Sequence, residues 1–146
     1  MFKNILIPTD GSESSQRAVR MGVDLAKLHG ARITGIHVIP DYHLLIAYEG
    51  AFDPITEERI EQEAKSRAQA YLDFLQRAAA EANVPCATVC ETGDHPYEVI
   101  LRTAEARGCD LILMTSHGRK GLAAVLLGSE TRKVLTHSTV PVLIVR

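Results

Sequence analysis

The residues that point most directly to chemistry are Thr115-Ser116-His117-Gly118 and, further along, Gly128-Ser129. An apolar run, Leu111 to Met114, leads into the first of these, and the second opens a helix-like stretch from Ser129 to His137. A phosphate is held best where several backbone N–H groups converge at a helix N-terminus and no β-carbon keeps the anion away. Gly118 and Gly128 supply bare backbone, and the Ser129 hydroxyl can cap the helix or donate to a phosphate oxygen. Arg119 and Lys120 add positive charge beside the loop. The stretch is not a Walker loop, because no Gly-Lys-Ser/Thr occurs in it.

Each part also has a plainer reading. Gly118 can be a turn, Gly128-Ser129 a helix start, and Arg119 with Lys120 a solvated face. A second polar loop, Thr9-Asp10-Gly11-Ser12, follows another apolar run near the N-terminus. Asp10 suits a ribose, whose hydroxyls a carboxylate accepts, and it equally suits a helix cap for residues from 12 onward. His117 invites a metal or catalytic role, but a metal site needs three or four convergent ligands and no second histidine stands at helical spacing from it. Gly-x-Ser-x-Gly is absent and Ser129 has no evident activating base, so no catalytic or metal-ligating residue is assigned.

The elements that must position these loops are legible in the periodicity. Phe2 to Pro8, Arg32 to Ile39, Cys86 to Cys90, Asp110 to Met114 and Pro141 to Val145 read as strands, several of them apolar throughout, as strands covered on both faces are. Between them the period becomes helical. Ala18, Met21, Gly22, Leu25 and Ala26 share one face; Ile60, Ala64, Ala68, Tyr71, Leu75 and Ala79 a second; Tyr97, Ile100, Leu101 and Ala104 a third. Gly30 and Pro85 close helices and Asp94-His95-Pro96 opens one. Alternating strands and helices predict an α/β fold, a five-stranded parallel doubly wound sheet with helices on both faces. Such sheets bind ligands at the carboxyl ends of strands, where the strand order reverses.

At 146 residues the chain has the size of a single domain, 1–146. A net charge of −2 with 23% charged residues provides no basic field for nucleic acid. No stretch reaches membrane-helix length, and the N-terminus has no basic region, long apolar segment or cleavage site, so a cytoplasmic protein is expected. Cys86, Cys90 and Cys109 are odd in number and read as small buried hydrophobes. Residues 40–56 exceed a usual βα connection. They read as a lid over a ligand, or as a loop folded over the core or against a second subunit.

Over essentially its whole length the chain resembles the universal stress protein family: ILIPTDGSESS at the start, HVI ending the second strand, SHGRKG after the fourth, then LLGS, and PVLIV in the last strand. The nucleotide-binding branch of that family carries G-x2-G-x9-G-[S/T] after the fourth strand. Here the register is Thr115-x2-Gly118-x9-Gly128-Ser129, with threonine in place of the first glycine.

The resemblance implies an ATP site, with Mg²⁺ arriving on the phosphates. Gly118, Gly128, Ser129 and Glu130 would meet phosphate through backbone and hydroxyl groups, beside Thr115, Ser116, His117 and Arg119. Asp10 would meet the ribose, Pro8 and Thr9 would lie beside the base, and the Val38 main chain would recognise adenine. It also implies a homodimer formed along the final strand, 141–146.

Thr115 bears on this directly. If glycine is needed for clearance, its β-carbon lowers affinity; if an extended backbone suffices, it costs little. The expected function is therefore a nucleotide-responsive stress protein without fast turnover, since the loops offer no general base, arginine finger or acid pair for metal. The alternative is a dimeric adaptor of the same fold whose pocket Thr115 narrows. A phosphotransfer receiver shares the architecture but needs an acidic cluster after the first strand, where this chain has Asp10 alone.

Overall fold

Strands buried on both faces need mostly apolar side chains, and the two runs that enter the centre of the sheet have them between a polar Asn4 at the start of one and a polar Thr115 at the end of the other. β1 (Asn4–Pro8) and β4 (Leu111–Thr115) are buried along nearly all of their length. The computed structural model describes residues 1–41, 54–117 and 127–146. The remaining elements in chain order are α1 (Glu13–His29), β2 (Arg32–Ile39), α2 (Pro54–Glu81), β3 (Cys86–Thr92), α3 (Pro96–Ala106), α4 (Ser129–His137) and β5 (Val142–Val145).

The five strands form one sheet in the order β3-β2-β1-β4-β5, and every pair is parallel. The chain walks outward from β1 through β2 to β3, then crosses back to β4 on the other side of β1. Strand order therefore reverses between β1 and β4, which pair directly through Ile5↔Leu111 and Leu6↔Ile112.

Side-chain alternation divides the core into two layers. Ile5, Ile7, Leu111 and Leu113 pack with Ala18, Val19, Val23 and Ala26 of α1 and with Leu75 and Ala79 of α2. On the opposite face Leu6, Ile36, Ile112 and Met114 pack with Val99, Ile100 and Ala104 of α3 and Val134 of α4. The doubly wound sheet read from the sequence is thus the fold observed.

Local chemistry sets the element boundaries. β1 begins at Asn4, later than the expected Phe2, because the Asp110 carboxylate accepts from the Lys3 amide at 2.8 Å and the Asn4 amide at 3.1 Å. The Asn4 side chain is buried, donating to the Arg107 carbonyl at 3.0 Å and accepting from the Thr34 hydroxyl at 3.0 Å. β3 runs on to Thr92, past the expected Cys90. α1 starts at Ser12, whose hydroxyl accepts from the Ser15 amide.

Two expectations are corrected. Met21 is 49% exposed and does not belong to the buried face of α1. The helix packs so closely at Gly22 that a β-carbon there would stand 2.4 Å from Ile7 Cδ1, and this approach centres the contact on Gly22 and turns Met21 aside. Of the cysteines, Cys109 is buried, Cys86 is half-buried and Cys90 is exposed on the edge strand β3, so only one is a core residue. All three are free thiols. Among the described residues no helix is long and apolar enough to cross a membrane. The expected lid, 40–56, falls mostly outside the described residues; its last part forms the beginning of α2.

Leu75 is fully buried and fills the space over Gly35. Leu75→Ala should cost about 2–5 kcal/mol, measured by urea denaturation, because a cavity remains where α2 meets β2. A second expectation concerns acid. Burial pushes the Asp110 carboxyl up, but the hydrogen bonds from the Asn4 and Lys3 amides outweigh it and hold it below the ordinary 3.8. A carboxylate with a depressed folded-state value contributes stability that is present above its unfolded value and lost as pH falls through the folded one. Urea melts at neutral pH and in a series below that value should show Asp110→Asn destabilised at neutral pH, with a shallower acid-induced decline than the unsubstituted chain.

Candidate functional site at the carboxyl ends of β1 and β4

Because β1 and β4 are hydrogen-bonded neighbours, the loops that leave their carboxyl ends emerge side by side. At the end of β1 the chain turns within four residues to enter α1, and side-chain hydrogen bonds help to fix the turn. The Thr9 amide donates to the Ile36 carbonyl at 2.9 Å, and the buried Thr9 hydroxyl lies 3.1 Å from that of Ser15 and accepts from the Gly11 amide. Asp10 Oδ1 accepts from the Ser12 amide at 3.0 Å. Gly11 has φ +75°, a conformation that suits glycine.

Of the two readings of Asp10, the helix-cap one is realised in part. Its carboxylate steadies the turn ahead of α1, while Ser12 is the true cap. Asp10 stays partly exposed, and a carboxylate accepts several bonds. Pro8 ends β1 opposite Ile36, so Val38 lies beyond the last paired residue of β1, beside the Thr9–Asp10 turn.

The end of β4 is more tightly knit. Thr115 and Ser116 are buried, and the Thr115 hydroxyl donates to the His117 carbonyl. The Ser116 hydroxyl lies 2.9 Å from His117 Nδ1, and the Ser116 amide donates to the Val145 carbonyl of β5. α4 is drawn against this end: the Gly128 amide donates to the Ser116 carbonyl at 2.8 Å, and the Thr131 hydroxyl to the Thr115 carbonyl at 3.0 Å. A β-carbon on Gly128 would stand 3.2 Å from the Ser116 oxygen, so the two backbones meet closely because that residue is glycine.

Gly128 is the N-cap of α4 and no side-chain cap accompanies it, so the expected capping by Ser129 is not realised; Ser129 is exposed at the helix start. A helix start without a side-chain cap presents backbone N–H groups and the positive end of the helix dipole. The Glu130 carboxylate turns away to α3, accepting from the Tyr97 amide at 2.9 Å, and pairs with Lys133 at 2.9 Å. What Glu130 offers an anion is its backbone. Among the described residues the non-glycine residue with positive φ is Asn83, so Thr115 keeps an ordinary strand backbone.

His117 Nε2 is buried and has no hydrogen-bond partner among the described residues. Gly118, Arg119 and Lys120 lie outside the described residues. Among those described, no group of histidine, cysteine, aspartate and glutamate is arranged to hold a metal ion.

The sequence reading missed Ser15, Thr131 and Tyr97, which hold the loops from behind. The first two had a faint signal: Ser15 stands three residues after Ser12 and Thr131 in the first turn of α4, spacings at which hydroxyls reach nearby backbone. Glu130 to Tyr97 joins two helices distant in sequence and had none.

The family model of the universal stress proteins matches residues 1–146. The chain is 34% identical to a universal stress protein of Thermus aquaticus and 34% identical to the universal stress protein YxiE of Bacillus subtilis, in each case over the full length of both chains. Among solved structures it resembles UspA from Lactobacillus plantarum, with a TM-score of 0.78 at 25% identity, covering 99% of this chain and 97% of that one. Two more distant structures share the fold: a universal stress protein in complex with cAMP, TM-score 0.73 at 22% identity, covering 99% and 97%, and one from Archaeoglobus fulgidus in complex with dAMP, TM-score 0.71 at 16% identity, covering 99% and 98%. The chain belongs to the universal stress protein family.

Proposed function

We propose that the chain binds ATP across the carboxyl ends of β1 and β4 and acts as a nucleotide-responsive regulatory protein in the cytoplasm. One observation carries the reading. The start of α4 has no side-chain cap and is packed backbone to backbone against the end of β4, beside the neighbouring strand whose loop bears Asp10. The helix start suits phosphates and the carboxylate suits ribose hydroxyls. Two proteins of the same fold were crystallised with adenine nucleotides, which supports the fold's capacity for such ligands.

Phosphate would meet the backbone of Gly118, Gly128 and Glu130 and the Ser129 hydroxyl, with Arg119 adding charge. The base would lie by Pro8, Thr9 and the Val38 main chain. Thr115 is compatible with this arrangement, since its backbone is extended and its hydroxyl is bonded to the His117 carbonyl. Mg²⁺ would enter with the phosphates, held by them and by water more than by protein. Among the described residues the loops hold no acid cluster or base aligned for hydrolysis, and binding is the activity proposed.

The same reading includes a homodimer along residues 141–146. β5 is an edge strand and Leu143 on it is 40% exposed, a combination that pairing with a second copy would cover. A dimeric adaptor without nucleotide is the reading favoured if the crevice proves closed.

Thermal unfolding with and without Mg-ATP tests the proposal. Ligand at a hundred times its Kd adds about 2.7 kcal/mol, which corresponds to a rise in Tm of roughly 5–10 °C for a chain of this size. No shift at millimolar nucleotide would favour the adaptor. Gly128→Val brings a side chain to the point where two backbones meet, and should weaken ATP about tenfold or more in a direct titration.

A further inference from the structure

The turn that carries Asp10 is gripped from two elements outside it. From β2, the His37 ring places Nδ1 2.7 Å from the Thr9 carbonyl. A carbonyl only accepts, so Nδ1 must carry the hydrogen, and the neutral ring is fixed in the Nδ1–H tautomer. From α2, Tyr71 packs its ring edge-to-face on His37, with centroids 5.2 Å apart and an interplanar angle of 72°. The same tyrosine lies flat against Gly11. A β-carbon there would fall 2.1 Å from both Cδ1 and Cε1 of the ring, so the aromatic surface occupies the space that any other residue's side chain would need.

Thr9 and Gly11 flank Asp10 on either side. One is held by its carbonyl and the other by contact with the bare backbone, so the direction of the Asp10 carboxylate follows from where His37 and Tyr71 sit. The inner side of the turn is already engaged by Ser15 and Ser12.

We infer that His37 and Tyr71 are positioning residues for the ribose end of the site: together they set the Thr9–Gly11 turn so that the Asp10 carboxylate meets ribose hydroxyls. This rests on the nucleotide reading given above. Neither residue is required to touch the ligand, and both act through Asp10. The clamp also makes α2 a structural partner of the turn, since the tyrosine is borne on that helix.

The test compares ATP with 2′,3′-dideoxy-ATP, which keeps the base and phosphates and lacks the hydroxyls that Asp10 would receive. For the unsubstituted chain ATP should bind more tightly. His37→Ala and Tyr71→Ala should each weaken ATP about tenfold, the scale of one charge-assisted hydrogen bond, and change the dideoxy nucleotide less than about twofold. His37→Asn, whose amide N–H stands where Nδ1–H stood, and Tyr71→Phe, which keeps the ring, should retain most of the discrimination.

Equal weakening of both nucleotides would mean general damage and would overturn the inference, as would variants that bind ATP unchanged or an unsubstituted chain that binds the two nucleotides alike. If the unsubstituted chain binds neither, the nucleotide reading fails on its own account. The clamp is then judged by ¹⁵N NMR of the imidazole in the free protein. A neutral His37 in the Nδ1–H form supports the clamp, and the Nε2–H form or an averaged signal overturns it.

Discussion

The pairing of β1 with β4 is the contact on which the rest of the molecule depends. It joins segments more than a hundred residues apart, as the bonds from the Lys3 and Asn4 amides to the Asp110 carboxylate illustrate. Closing so long a loop costs chain entropy, although the cost grows only slowly with length. The return is large: β1 and β4 both contribute to the two core layers, and Ile5, Leu6, Ile112 and Leu113 are fully buried. The same pairing is the point where strand order reverses, so the contact that closes the core also brings the loops after β1 and β4 side by side.

These two strand ends are held largely by their own polar groups. At the β4 end the carbonyls of Thr115, Ser116 and His117 each accept a hydrogen bond, from the Thr131 hydroxyl, the Gly128 amide and the Thr115 hydroxyl respectively. At the β1 end the turn is fixed from α1 and β2. Carbonyls already engaged in this way do not compete for an incoming ligand's donors. The start of α4, which has no side-chain cap among the described residues, sets backbone N–H groups beside the end of β4.

Much of the fold was legible because it follows from periodicity. Runs such as ILIP and LILM can only be strands covered on both sides, and their alternation with helical faces leaves one architecture. The paired loops were legible for the same reason, since their place at strand ends is a property of topology. Harder to see were features that depend on how closely elements approach. Met21 has the right spacing for a core residue and fails because Gly22 draws the helix onto Ile7. Cys90 has a strand environment and is exposed because β3 is an edge, which a single strand's sequence does not reveal. Tyr71 was correctly placed on an inward face, but its contact with Gly11 joins residues sixty positions apart and leaves no local pattern.

Glu130 links two helices through one carboxylate. Standing in the first turn of α4, it accepts from the Tyr97 amide at the beginning of α3, while Lys133 and the Tyr97 ring, 5.2 Å from the ammonium, close over the junction. That bond ties the first turns of the two helices to each other. The Tyr97 ring in turn lies 5.7 Å from that of His137, the exposed last residue of α4. One carboxylate and one aromatic ring thus join the start of α4 to a face that solvent reaches.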